Sequence, residues 1–269
     1  MSQGEEDVKL LGSIRSMWRV IRLLGVLLLA SMQLIVRRPS TRQERAMWLH
    51  QLCRRATKTF GVEVGVRGPF PERGVLIANH LSYLDIVVFA SISPCVFVSK
   101  AEVEGWPLLG WMTTMAGTVY VHRGRRGSAK EAGGGMRAVT DAGLPVVFFP
   151  EGTTSNGEAV LRFHSGLLAE ALASEQPVTG AYLRYTLTRD NGSRTVRDDV
   201  AYWGEQPMPP HIFRFLGLRG VRAEVAIADS PIQFTAPSSS KLVATEARRA
   251  VCALSDERVP AEDRLEVVG

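Results

Sequence analysis

Apolar and polar positions follow two rhythms, one before about residue 60 and one after it. Trp18 to Val36 reads WRVIRLLGVLLLASMQLIV, and from Leu23 to Val36 only Ser31 and Gln33 interrupt the apolar run. At 1.5 Å per residue that run is about 21 Å long, short of a hydrocarbon core of about 30 Å. Reaching back to Met17 gives about 20 residues, provided that Arg19 and Arg22 extend toward the headgroups. The chain opens with Glu5-Glu6-Asp7 and no A-x-A site follows the run, so a retained, membrane-embedded helix is expected rather than a cleaved signal. Beyond Pro39, Leu49, Cys53, Ala56 and Phe60 recur at helical spacing, with Trp48 and Leu52 beside them. With Arg45, Arg54, Arg55 and Lys58 they make a basic amphipathic helix, expected to lie in the bilayer interface. The competing reading is a helix packed on its own domain with a solvated basic face.

From residue 61 short β-rich runs alternate with helical stretches. Strands are predicted over 62–66, 74–79, 95–99, 118–121, 145–149, 178–185 and 222–227. Helices are predicted over 83–91, 108–115, 128–142, 165–174 and 241–254, with a short one after Pro209-Pro210. This rhythm predicts an α/β fold with a mixed, mostly parallel sheet flanked by helices, preceded by an N-terminal membrane-associated helical pair. The expected division is 1–60 for those membrane-associated helices, 61–255 for the α/β domain and 256–269 for a polar tail. A piece starting at residue 61 is accordingly expected to be the more soluble one.

Composition sharpens this reading. The net charge of +5 is uneven: residues 1–60 carry eleven Lys/Arg against four acids, while the rest is nearly balanced. The partner expected of such a segment is an anionic membrane surface, not a nucleic acid. Cys53, Cys95 and Cys252 are too far apart for a C-x-x-C pair and fit a reducing compartment. His50, His80, His122, His164 and His211 show no paired ligand spacing, so no metal is expected.

Three constellations carry candidate chemistry. In Asn79-His80-Leu-Ser-Tyr-Leu-Asp85, a histidine at a strand's end precedes an aspartate by five residues. Five residues turn a helix through about 500°, so His80 belongs in the turn before a helix whose first residues bring Asp85 back to it. Asp85 then holds one imidazole nitrogen and leaves the other free to accept a proton. In Phe148-Phe-Pro-Glu-Gly-Thr-Thr-Ser155, a buried strand breaks at Pro150 into a turn able to offer N–H groups to an anion. Lys100 and Arg123 lie at or beyond the ends of predicted strands, where ligands of open α/β sheets collect. The nucleophile elbow G-x-S-x-G is absent, which argues against a lipid hydrolase. A non-catalytic membrane-binding module would leave the His80–Asp85 pair without a role.

In this order the blocks resemble the glycerolipid acyltransferase family, whose best-known class is 1-acyl-sn-glycerol-3-phosphate acyltransferase. N-H-L-S-Y-L-D is similar to its N-H-x-S-x-x-D block. Lys100, Pro107, Gly110 and Gly117 to Arg123 are similar to its second block, and F-P-E-G-T-T-S to its F-P-E-G-T-R-S block. The resemblance covers roughly 65–230. It implies an enzyme that moves an acyl chain from acyl-CoA or acyl-carrier protein, as co-substrate and without another cofactor, to a lysolipid hydroxyl. His80 and Asp85 are implied as catalytic, and Lys100, Arg123, Glu151, Gly152 and Thr153 as substrate-binding. The cell membrane, at the cytoplasmic face of a bacterial inner membrane, is the implied location. Thr154 stands where many phosphatidate-forming members have arginine, and Thr179 replaces a usual proline. The expected acceptor is 1-acyl-sn-glycerol-3-phosphate, with another lysolipid such as lyso-ornithine lipid as the alternative.

Overall fold

Two helices open the chain in the computed structural model, which describes residues 3–105, 109–122, 124–125, 127–235 and 239–256. α1 (Gln3–Arg37) runs well beyond the predicted apolar stretch, because no proline or turn residue stops it before Pro39. A capping box restarts the helix. The Thr41 hydroxyl accepts from the Glu44 N–H (3.2 Å) and the Glu44 carboxylate accepts from the Thr41 N–H (3.1 Å), opening α2 (Arg42–Phe60). Gly61, in the left-handed region at φ 70°, closes α2.

The two helices meet their neighbours differently. Along α1, Ser16, Ala30 and Leu34 are buried on one face. Ile14, Met17, Trp18, Ile21, Leu24, Leu28, Met32 and Ile35 stand exposed on the other. The segment Leu10–Arg37 is long and apolar enough to cross a membrane. Arg19 does not meet the condition set for the longer apolar run, since it points to the protein. It donates to the carbonyls of Leu216 (3.0 Å) and Leu218 (2.7 Å), oxygens at a helix end that lack intrahelical donors and attract a cation. The apolar face of α2 is not an interfacial one either. Trp48, Leu49, Leu52, Cys53, Ala56 and Phe60 are buried in the same hydrophobic cluster as the sheet. The reason is area: that face covers the sheet and the helix after β2, which water would otherwise wet.

The remaining elements alternate as the pattern predicts. β1 (Val62–Arg67), β2 (Gly74–Ala78), α3 (Leu84–Ile92), β3 (Val96–Lys100), α4 (Leu109–Met115), β4 (Val119–Val121), α5 (Ser128–Thr140) and β5 (Pro145–Phe148) come first. α6 (Gly166–Ala173), β6 (Val178–Leu187), α7 (Val196–Asp199), α8 (Met208–Leu216), β7 (Val221–Ile227) and α9 (Ser240–Ala253) follow. Among the described residues the sheet runs β1-β7-β6-β2-β5-β3-β4, and every pairing is parallel except β6 with β7. The mixed, mostly parallel sheet is thus present. Side chains alternate across it: Leu76, Ala78, Leu183 and Tyr185 face the cluster shared with α1, α2, α3 and α8. Val75, Ile77, Val146 and Phe148 face the other, under α5, α6 and α9.

Candidate active site

The site forms where β2 stops, at the carboxyl edge of the parallel strands. The Asn79 side chain closes the strand by accepting from the Leu183 N–H (2.7 Å) and donating to the Leu183 carbonyl (2.9 Å) on β6. The chain then leaves the sheet at His80 and starts α3 four residues later. Asp85, in the first turn of α3, points back into that bend and is 0% exposed. Its Oδ2 accepts from His80 Nδ1 (2.7 Å) and from the N–H groups of Leu81 (2.6 Å) and Ser82 (3.0 Å). Its Oδ1 accepts from the Tyr185 hydroxyl (2.9 Å). Four donors offset the cost of burying the carboxylate and fix its orientation. Burial and the neighbouring Asp85 push the Tyr185 hydroxyl well above its ordinary pKa, so it remains a donor.

The imidazole of His80 is held as firmly as the carboxylate. Phe149 stacks on it, with ring centroids 4.1 Å apart and planes 6° from parallel. With Nδ1–H donated to Asp85, the neutral ring keeps its lone pair on Nε2, which has no hydrogen-bond partner among the described residues. The His80 side chain is 17% exposed, so part of the ring is reachable from outside.

Glu151, expected among the substrate-binding residues, has both oxygens of its carboxylate bonded to the backbone around His80. Only 2% exposed, it accepts from the His80 N–H (2.9 Å) through one oxygen and from the Leu161 N–H (3.1 Å) through the other. Burial raises its pKa, and the two backbone donors oppose that shift. Gly152, at φ 68°, donates its N–H to the Phe149 carbonyl (3.0 Å) within the turn. Ser155 N–H completes the seat by donating to the His80 carbonyl (2.9 Å). Thr153 is exposed beside this turn. Lys100 is exposed at the end of β3, two strands or about 10 Å across the sheet from β2. Arg123 lies outside the described residues.

The structure therefore joins His80, Asp85 and Glu151 in one hydrogen-bonded unit, with Lys100 at the end of a strand two places along the sheet. Sequence reasoning missed Tyr185, which carries no local signal, and Phe149, whose place beside Pro150 gave no hint of a ring stacked on His80.

Comparison with known proteins bears on this geometry. A family model described as Acyltransferase matches residues 62–183. The lyso-ornithine lipid O-acyltransferase of Pseudomonas aeruginosa is 38% identical over 185 residues, which are 67% of this chain and 66% of that protein. The 1-acyl-sn-glycerol-3-phosphate acyltransferase of Neisseria gonorrhoeae is 33% identical over 63% of this chain and 65% of its own length. The chain thus spans slightly under two thirds of these two relatives. The lyso-ornithine lipid O-acyltransferase of Brucella abortus is 32% identical over 73% of this chain and 77% of its own length. The crystal structure of the 1-acyl-sn-glycerophosphate acyltransferase of Thermotoga maritima shares the fold, with a TM-score of 0.67 at 18% identity, covering 94% of this chain and 100% of that one.

Proposed function

The chain belongs to the acyltransferase family, and on that premise we propose that it transfers an acyl chain from an acyl thioester to the free hydroxyl of a lysolipid at a membrane surface. The observation that carries this reading is the His80–Asp85 pair, with His80 Nδ1 held by Asp85 and its side chain partly exposed at the rim of the sheet. His80 Nε2 takes the hydroxyl proton as the acceptor oxygen attacks the thioester carbonyl carbon. Asp85 stabilises the imidazolium that forms. The C–S bond then breaks, and the imidazolium returns the proton to the departing thiolate. No nucleophile from the protein takes part, so donor and acceptor are bound together. The donor is acyl-CoA or acyl-carrier protein. Glu151 acts as a positioning residue, with Lys100, Arg123 and Thr153 toward the headgroup.

The exposed apolar stripe of α1 supports a membrane setting in which the helix lies along the bilayer surface with the domain beside it. Free cysteines and a thioester donor favour the cytoplasmic face of a bacterial inner membrane. Two acceptors fit. Lys100 and Arg123 favour an anionic headgroup, hence 1-acyl-sn-glycerol-3-phosphate. Thr154, and relatives named lyso-ornithine lipid O-acyltransferase, favour the zwitterionic ornithine headgroup.

The test is transfer from labelled acyl thioester to a lysolipid panel, using the purified chain in micelles. His80→Ala should fold and lose about 10²–10⁴-fold in turnover. Near-normal turnover of that folded variant sinks the mechanism. A preference for lysophosphatidate erased by Arg123→Ala identifies the first acceptor. Indifference to lysophosphatidate, with activity on lyso-ornithine lipid, identifies the second.

A further inference from the structure

Away from the dyad, α1, the loop after β6 and the turn between α8 and β7 form a cleft lined by Arg15, Arg194 and Arg219, with Gly12, Gly217 and Asp190. Arg15 donates to the Gly217 carbonyl. Arg194 donates to the Arg214 carbonyl (2.6 Å) and lies 3.7 Å from Asp199, which also sits 3.5 Å from Arg214. One buried carboxylate is thus shared by two guanidinium groups. Asp190, at the exposed rim, accepts the Gly192 N–H (2.9 Å). The backbone of Arg219 is pinned from both sides by the Asn191 amide (2.7 and 2.9 Å), yet its guanidinium makes no hydrogen bond among the described residues. Positive charge is in excess here, on guanidinium forks whose planar donors match the oxygens of a phosphate.

We propose that this cleft binds the phosphate of an anionic phospholipid of the surrounding bilayer and so fastens α1 and the domain edge to the membrane surface. The inference rests on the reading that α1 meets a bilayer. Its particular support is adjacency: Leu11 lines the cleft and is exposed, and Leu10 and Ile14 extend the same apolar surface. A molecule with a phosphate and acyl chains meets both halves at once. The reacting acceptor does not fill this place. Leu183, bonded to Asn79 beside His80, is followed by four more residues of β6, about 13 Å, before the loop begins. A phosphate carried on the carbon next to the reacting hydroxyl cannot span that distance.

The experiment is flotation of the full chain with phosphatidylcholine vesicles, with and without phosphatidylglycerol. Arg219→Gln removes the unbonded guanidinium, and Arg22→Gln removes an exposed α1 charge outside the cleft. Wild type should prefer the phosphatidylglycerol vesicles. Arg219→Gln should weaken that binding about ten- to a hundredfold, against about fivefold or less for Arg22→Gln. Unchanged binding to phosphatidylcholine vesicles and unchanged melting in neutral micelles check that the variant is folded. Equal losses in the two variants mean diffuse attraction and overturn the site. Stabilisation of wild type by inorganic phosphate over chloride at equal ionic strength, with no difference between the variants on vesicles, assigns the cleft to a soluble ion and overturns the lipid. Failure of wild type to bind any vesicle overturns the membrane reading itself.

Discussion

Tyr185 shows how one distant side chain can tune a dyad. Its hydroxyl is the sole donor to Asp85 Oδ1 among the described residues, and the acceptor is fully buried. Tyr185→Phe keeps the ring and removes the donor, leaving a carboxylate oxygen without a partner or a water to replace it. A hydrogen bond to a charged group contributes about 1.5–3 kcal/mol. The expected outcome is a kcat lowered about tenfold with KM unchanged, because Asp85 is then less firmly oriented toward the imidazolium as it forms. A loss confined to KM would assign Tyr185 to substrate binding instead. His80 and Asp85 were legible in the sequence because seven consecutive residues carry the whole bend. Tyr185 was not, since it lies a hundred residues further on, where a tyrosine in a strand reads as ordinary β composition. Glu151 was legible as part of the turn after Pro150, but not the hydrogen bond from the distant Leu161 N–H that holds its carboxylate.

At the level of elements, α8 is joined to the loop carrying His80 through a buried histidine. His211 receives the Tyr83 hydroxyl on Nδ1 (3.0 Å) and donates from Nε2 to the Ala201 carbonyl (3.0 Å), an arrangement that needs the neutral ring. Burial lowers its pKa below 6.5, and burial lowers that of His50 on α2 in the same direction. The unfolded chain therefore takes up protons below about pH 6.5 that the folded chain refuses. Stability from these groups is full above that pH and is lost as pH falls through their folded values. Melting temperature should drop between pH 7.5 and 5.5, and the drop should shrink in His211→Gln. An unaltered drop in that variant would remove His211 from the account. Alternation and turn residues made the seven strands readable to within a few residues, since each strand keeps its period. α7 was not readable, because four residues offer no period at all. In α8 the prolines that looked like a preceding loop occupy the first turn, where their missing N–H groups have no intrahelical partner to lose.

On the scale of the whole molecule, the boundary after residue 60 falls between elements but not between cores. α2 ends at Phe60 and β1 begins at Val62, yet Trp48, Leu49, Leu52, Cys53, Ala56 and Phe60 share one buried cluster with Leu76, Val88, Leu183 and Phe215. The amphipathic pattern of α2 could not reveal this, because a helix facing lipid and a helix facing its own sheet carry the same apolar stripe. α1 differs in having two apolar faces, one turned to α2 and α8 and one left exposed from Leu10 to Val36. Only the second is available to a membrane. The expectation that a piece beginning at residue 61 gains solubility is therefore reversed. Burying a large apolar side chain contributes about 1.5–3 kcal/mol, so removing that face of α2 alone costs on the order of 10 kcal/mol. That is the size of a domain's whole net stability. The piece 61–269 should be recovered aggregated or as a dye-binding, non-cooperative state. A chain from residue 38, which keeps α2 and loses the exposed stripe, should stay folded more often and bind vesicles less. Sedimentation and thermal unfolding of the two pieces side by side check this. A soluble, cooperatively melting 61–269 piece would restore the boundary as a true division of the fold.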